Sequence, residues 1–398
     1  MKKKIVIIGS TGSIGLNTLK LIDQEKNKYS IELLSTNKNV ELIVKQAKKF
    51  NVKHIIINDY KKFMFAKEKF KSDGIKFYNS FTIISKIFKN KKIHYSMISV
   101  VGLDGLLPTI KLIKHSQTIG IANKESIICG WNLINKELTK YKTIFIPIDS
   151  EHFSIFSLIK NENPLNIDKI FITASGGPFL NSTKKEIKKA TIDQALKHPN
   201  WLMGKKITID SATMMNKVFE VIETKKIFDI DYKNIKIIIH PKSYIHAIVE
   251  FKSAIFKILL HEADMKIPII NSLLLAEKDV DVKKFKSKPL NLKNLNNLNL
   301  RFINDSHFPL VKILKTLPSR DSLFETVLIS INDFFVNKFL EKRITYINLL
   351  KMISYYVNHR SFSKFKKIRP QKIEQIYQVK NFVNLKLSKL VYKKFSHD

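Results

Sequence analysis

Five stretches carry residue types at spacings that can do chemistry. The first, Gly9-Ser10-Thr11-Gly12-Ser13-Ile14-Gly15, repeats glycine every third residue between an apolar run, Ile5–Gly9, and an amphipathic stretch, Ser13–Lys26. Glycines there let the backbone approach a pyrophosphate, whose charge suits the N-terminus of the helix that follows. The second, Asp149-Ser150-Glu151-His152, follows the apolar run Thr143–Ile148. In an extended chain, residues two apart project to one side, so Asp149 and Glu151 can converge on one ion. Two carboxylates make a hard oxygen site suited to Mg2+ or Mn2+.

The third runs from Asp210 to Glu223. Asp210 or Ser211 is a natural N-cap, and helical spacing then puts Thr213, Asn216, Lys217, Glu220 and Glu223 on one face. Met214, Met215, Val218, Val221 and Ile222 fall on the other, core-facing side. Ser, Asn and Lys near a helix start offer donors to a phosphate, and Glu220 can supply a third carboxylate to a metal. The last two are loops: Thr173-Ala174-Ser175-Gly176-Gly177-Pro178-Phe179, and His198-Pro199-Asn200-Trp201-Leu202-Met203-Gly204. The second holds one of only two tryptophans in the chain, as expected of a lid that excludes water. Each stretch taken singly also has a plain reading: a tight turn, a capped and solvated acid pair, an amphipathic surface helix, a structural loop histidine.

These residues need a frame. Ile5–Gly9, Ile31–Ser35, His54–Ile57, His94–Val100, Thr118–Ala122 and Thr143–Ile148 read as strands. Stretches between them, such as Ser13–Lys26 and Asn39–Phe50, read as helices. The alternation predicts an α/β, Rossmann-like, mostly parallel sheet over 1–149. An α+β domain is expected over 150–282, with a helix starting near Ser211 and strands near Ile235–His240, Tyr244–Phe251 and Ala254–His261. A linker is expected over 283–305 and a small helical domain over 306–398. At the end of the second strand an NAD site places an acid about 20 residues past the glycines. Here stands Thr36-Asn37-Lys38-Asn39, and a lysine among polar residues suits the extra phosphate of NADP.

The 398 residues carry a formal charge of +36, and arginine occurs only at Arg301, Arg320, Arg343, Arg360 and Arg369. Nucleic-acid readers lean on arginine, whereas this lysine is scattered among abundant Ile and Asn. Most of it reads as solvated surface, and no nucleic-acid partner is expected. The field still favours anionic ligands. No apolar run nears the roughly 20 residues of a membrane span. A single cysteine, Cys129, asks for no oxidising compartment. A cytoplasmic protein without a membrane partner is expected.

In their order along the chain, GSTGSIG, Ala122-Asn123-Lys124-Glu125-Ser126, the Asp149–His152 cluster, the Ser175–Phe179 loop, His198–Gly204, Lys206–Lys217 and His240-Pro241-Lys242-Ser243-Tyr244-Ile245-His246 resemble the 1-deoxy-D-xylulose 5-phosphate reductoisomerases. The resemblance covers residue 3 to about 280. It weakens beyond: Asn332 matches one position of a family Asn-Glu motif, and Asp333 stands for the Glu. It implies NADPH, a divalent metal (Mg2+ or Mn2+, with Co2+ also admitted), a small phosphorylated sugar as substrate and a homodimer. Asp149, Glu151 and Glu220 match its metal ligands, and Lys124, Glu151 and His198 its catalytic groups. Ser150, Ser175, His198, Trp201, Met203, Ser211, Asn216, Lys217 and Glu220 match its substrate contacts. Gly9, Thr11, Gly12, Ser13, Ile14, Asn37, Lys38, Asn39, Asn123, Glu125 and Gly204 fall on the cofactor side. The family often has Gly at Asn37; asparagine tolerates positive φ, so the loop is expected to hold. The implied reaction is rearrangement and reduction of 1-deoxy-D-xylulose 5-phosphate. A plain NADP-dependent dehydrogenase of another small phosphorylated substrate is the rival, and it needs no convergent carboxylates.

Overall fold

A computed structural model describes residues 2–276, 291–296 and 298–395, and the chain folds as two compact units. The first comprises 1–127, 133–156 and 264–288. Its strands are β1 (Lys3–Ile8), β2 (Tyr29–Thr36), β3 (His54–Ile57), β4 (Lys76–Tyr78), β5 (Ile93–Ile98), β6 (Ser116–Ile121) and β7 (Ile144–Pro147). They form one sheet in the order β4-β3-β2-β1-β5-β6-β7, with every pairing parallel. Central β1 shows why the sequence chooses this: Ile5, Val6, Ile7 and Ile8 are all fully buried. A strand covered on both faces reads as a continuous apolar run rather than an alternating one, and each such side chain gains about 1.5–3 kcal/mol by leaving water. The chain order reverses between β1 and β5, the switch point where open α/β sheets bind ligands beyond the strands' carboxyl ends. β4 is a strand the sequence reading did not single out.

The helix Lys266–Leu275 belongs to this first unit, although the expected boundary placed 150–282 in the second domain. Ile269, Ile270 and Leu273 join the core of Ile5, Ile7, Leu19 and Ile22, and Ser272 Oγ lies 2.7 Å from Tyr95 Oη. Burial of that apolar face, which short-range sequence pattern cannot assign to a partner, decides its place.

The second unit comprises 128–132, 157–263 and 289–398. β8 (Ile167–Ala174), β9 (Ile235–Ile239), β10 (Ile245–Phe251), β11 (Phe256–Leu260) and β12 (Arg301–Phe302) form a mixed sheet in the order β11-β10-β8-β9-β12. Only β8 and β9 pair in parallel. The expected linker is partly strand: Arg301 and Phe302 pair with Ile239 and Ile238, while 283–290 and 297 lie outside the described residues. Helices Phe324–Leu340, Tyr346–Val357 and Ile373–Phe395 form the helical C-terminal part expected over 306–398. No helix among the described residues is long and apolar enough to cross a membrane.

Candidate active site

The glycine loop lies at the switch point of the first unit. Gly9 has φ +90°, and a Cβ there would sit 2.7 Å from Ser99 O, just past β5. A Cβ on Gly15 would sit 2.3 Å from Gly9 O, so loop and helix start approach as only glycine allows. Gly12 caps the helix Ser13–Gln24 with extended backbone and no side-chain acceptor, so no side chain at the cap competes for the first-turn amides. The loop is braced from β2 and β5. Gly9 N donates to Ser35 Oγ at 2.9 Å, Thr11 Oγ1 meets Thr36 Oγ1 at 2.7 Å, and Ser99 Oγ donates to Ile8 O at 2.8 Å. Gln46 closes the bracket by donating to Ser10 O.

At the end of β2, Asn37 is not among the residues with positive φ, so no left-handed backbone is asked of it. Asn39 caps the helix Val40–Phe50. Lys38 is largely exposed, with Nζ 3.9 Å from Asp59. That acid is itself engaged as the cap of the helix Tyr60–Lys69, accepting from Lys62 N at 3.0 Å. Asn123 caps the helix Lys124–Tyr141. It accepts from Ser126 N at 2.9 Å and donates to Val100 O and Gly102 O at 2.6 and 2.8 Å, tying the helix start to the loop after β5.

The acid cluster corrects one expectation. Asp149 and Glu151 are not two steps along an extended strand, because Ser150–Ile159 is helical. Asp149 instead accepts from Glu151 N at 3.2 Å in the manner of an N-cap, which sets both carboxylates at one helix start. Lys124 Nζ lies 3.1 Å from Asp149 Oδ2, and buried His152 presents Nδ1 3.2 Å from Asp149 Oδ1. Ser150 donates to Glu151. Both carboxylates are thus fixed by neighbours and only partly buried.

In the second unit the expected single helix is two. Lys205–Ala212 ends before Met214, which is left-handed at φ 65°, and Met215–Phe228 begins after it. Asp210 and Ser211 therefore cap nothing. Asp210 is buried inside the first helix, accepting from Asn332 Nδ2 at 2.7 Å and Lys206 Nζ at 3.2 Å. On the second helix, Lys217 and Glu220 form an ion pair and Asn216 donates to Glu220. Lys217, Glu220 and Glu223 are nearly fully buried, so the polar face is an interior one, not a solvated surface. Burying charges without partners is costly, and the pairing of lysine with glutamate answers it.

The His198–Gly204 loop lies in the same unit. His198 accepts at Nδ1 from Asn200 N and Trp201 N at 3.2 and 2.9 Å. The proton therefore sits on Nε2, which faces Ser175 Oγ at 3.1 Å. Burial, aided by nearby Lys217, pulls this imidazole down to about 4, so it is a neutral donor near pH 7. Trp201 stands edge-on to His246 at 6.2 Å. Asn200 Nδ2 donates to Pro241 O and Ser243 Oγ at 2.6 and 2.8 Å, tying this loop to the His240–His246 segment. Gly177, at φ +65°, lets the Ser175–Phe179 loop close on Ser211, whose carbonyl would be 3.1 Å from an added Cβ. Half-buried Met203 and exposed Gly204 complete the loop.

Sequence reasoning missed the braces. Ser35, Ser99, Gln46, Asn200 and Ser243 are small polar residues whose partners are 26 to 91 positions away. Only Asn200, beside His198 and Trp201, and Ser243, within the His240–His246 stretch, carried a signal.

A parallel α/β sheet with a glycine loop at its switch point is the frame of dinucleotide-dependent oxidoreductases. Models of the 1-deoxy-D-xylulose 5-phosphate reductoisomerase match residues 5–130, and of its C-terminal domains residues 145–228 and 260–384. The chain is 51% identical to the 1-deoxy-D-xylulose 5-phosphate reductoisomerase of Pelagibacter ubique (strain HTCC1062), over 98% of this chain and 99% of that one. It therefore belongs to the 1-deoxy-D-xylulose 5-phosphate reductoisomerase family. The Zymomonas mobilis enzyme solved with NADPH superposes with TM-score 0.85 at 27% identity, over 98% of this chain and 99% of that one. A DOX-P reductoisomerase solved with NADPH, fosmidomycin and magnesium superposes with TM-score 0.88 at 27% identity, over 97% and 99%.

Proposed function

We propose that the chain converts 1-deoxy-D-xylulose 5-phosphate to 2-C-methyl-D-erythritol 4-phosphate with NADPH and a divalent metal ion, a step of non-mevalonate isoprenoid synthesis. The observation that carries the reading is near-full-length identity of 51% to a relative of that name, joined to a site with the matching residue types. The first unit suits the dinucleotide because its glycine loop is closed to any Cβ at Gly15 and leaves the first-turn amides uncapped. Asp149 suits a cation, since Lys124 already places an ammonium against it. The donors are hard oxygens, which fits magnesium, the ion held by a solved relative. Manganese and cobalt are secondary choices.

In this reading Asp149, Glu151 and Glu220 hold the ion. Gly9, Thr11, Gly12, Ser13 and Ile14 receive the pyrophosphate; Asn37, Lys38, Asn39, Asn123, Glu125 and Gly204 also belong to the cofactor side. When bound, the ion supplies Lewis-acid polarisation to the ketone and adjacent hydroxyl, and NADPH supplies hydride. The remaining work falls to side chains. Ser175, Ser211, Asn216, Lys217 and His198 bind the phosphate and hydroxyls, with Lys217 supplying charge and His198 a neutral N–H. Glu151 takes the proton released from a substrate hydroxyl, and Lys124 and Ser150 orient the substrate backbone. Trp201 and Met203 exclude water, so that phosphate binding far from the reacting carbons helps close the flap.

Domain roles follow the two units: the first, which carries the glycine loop, binds NADPH, and the second, which carries Ser175, His198 and Lys217, binds the substrate, with its C-terminal helices as support. A cytoplasmic homodimer is the proposed form. The dimer is supported by β11, an edge strand with Phe256 and Ile258 exposed at 54% and 38%; such an edge invites pairing unless covered.

The test is NADPH consumption with 1-deoxy-D-xylulose 5-phosphate, with and without EDTA. Turnover abolished by EDTA, and restored by Mg2+ in the wild type but lost by at least about 100-fold in Glu220→Gln, is expected. Metal-independent turnover, or full activity in Glu220→Gln, would return the chain to the plain dehydrogenase alternative.

A further inference from the structure

The helix Lys205–Ala212 joins the flap to the phosphate side of the site, yet it has little to hold itself. It is eight residues long, begins at Gly204 without a side-chain cap, and stops at left-handed Met214. Two turns of helix are marginal in water on their own, so tertiary contacts decide where it lies. Three come from the helical C-terminal part. Asn332 donates to Asp210 at 2.7 Å, Asp333 Oδ1 meets Lys206 Nζ at 3.0 Å, and Tyr346 Oη donates to Ala212 O at 2.7 Å. Lys206 also pairs with Asp210 and lies 5.8 Å over the ring of Phe219 on the following helix.

These contacts fall at 206, 210 and 212, bracketing Ser211, while Gly177 closes on the Ser211 carbonyl from another direction. Asn332 is fully buried and Asp210 nearly so. A buried polar network of this kind contributes little net stability compared with an apolar core but specifies one arrangement. We infer that Asn332, Asp333 and Tyr346 are positioning residues that set Ser211 and the base of the flap for the substrate phosphate. The inference rests on the assignment of Ser211 to that phosphate. At Asp333, where the family motif carries Glu, the shorter carboxylate still reaches Lys206 Nζ, at 3.0 Å.

The test uses the full chain with NADPH and Mg2+, varying 1-deoxy-D-xylulose 5-phosphate. Asp333→Asn and Tyr346→Phe each raise the KM for the ketose phosphate about five- to tenfold, with kcat and the KM for NADPH within about twofold of wild type. Asp333→Glu keeps the carboxylate and restores the KM. Ser211→Ala raises the KM by itself, and adding Asp333→Asn to it gives less than the product of the two effects, as for residues acting on one contact. If Ser211→Ala raises the KM while Asp333→Asn and Tyr346→Phe leave it unchanged, or only lower the Tm, the inference is overturned and the Ser211 assignment stands. If Ser211→Ala has no effect, that assignment falls and takes the inference with it.

Discussion

His198 is held neutral by its surroundings. Two backbone amides occupy Nδ1, and burial beside Lys217 lowers its pKa from 6.5 to about 4. Above pH 6.5 the ring is neutral in both folded and unfolded chains. Between 6.5 and about 4 the unfolded chain takes a proton that the folded one refuses, so stability falls across that window and levels off below it. An NMR titration of the full-length protein should place the His198 midpoint near 4; a midpoint near 6.5 would contradict the buried, amide-capped geometry. Gly15 makes a second residue-scale case. An alanine Cβ would meet backbone at 2.3 Å, where nothing can swing aside. Gly15→Ala should cost about 1–3 kcal/mol in stability and weaken NADPH binding, read by Tm and by quenching on NADPH titration.

Among the elements, the helix Lys124–Tyr141 shows how one cap can serve both fold and site. Asn123 satisfies a first-turn amide and two loop carbonyls at once, and so fixes the helix start that carries Lys124 and Glu125. Asn123→Ala should destabilise by about 2–3 kcal/mol, roughly one for the cap and the rest for buried carbonyls left unpaired. Denaturant unfolding measures the loss, and the KM for NADPH should rise with it. The glycine loop was legible because glycine spacing and the strand before it are local. The break at Met214 was not. Nothing in Ile209–Met215 marks a left-handed residue, and the buried partner that draws Asp210 inward, Asn332, lies 122 positions away.

For the whole molecule, the proposed dimer has an address. With Phe256 and Ile258 exposed on edge strand β11, replacing both by lysine should shift the protein from dimer to monomer in sedimentation. Lysine on an edge strand blocks pairing by charge and desolvation. A dimer that survives both changes would place the interface elsewhere. The charge of +36 bears on ligand attraction more than on fold.

The amino-acid sequence by itself determined the alternating α/β pattern, the glycine loop, the acid cluster, the His198–Gly204 loop and the family resemblance, because each is written in neighbouring residues. Tertiary structure alone decided that Lys266–Leu275 belongs to the first core, that Arg301–Phe302 completes a sheet, and that Asp149 and Glu151 meet at a helix start. It also decided that Asp210 is an anchor rather than a cap. Those outcomes depend on which distant surface buries an apolar face or satisfies a buried charge, and such pairings leave no trace in local spacing.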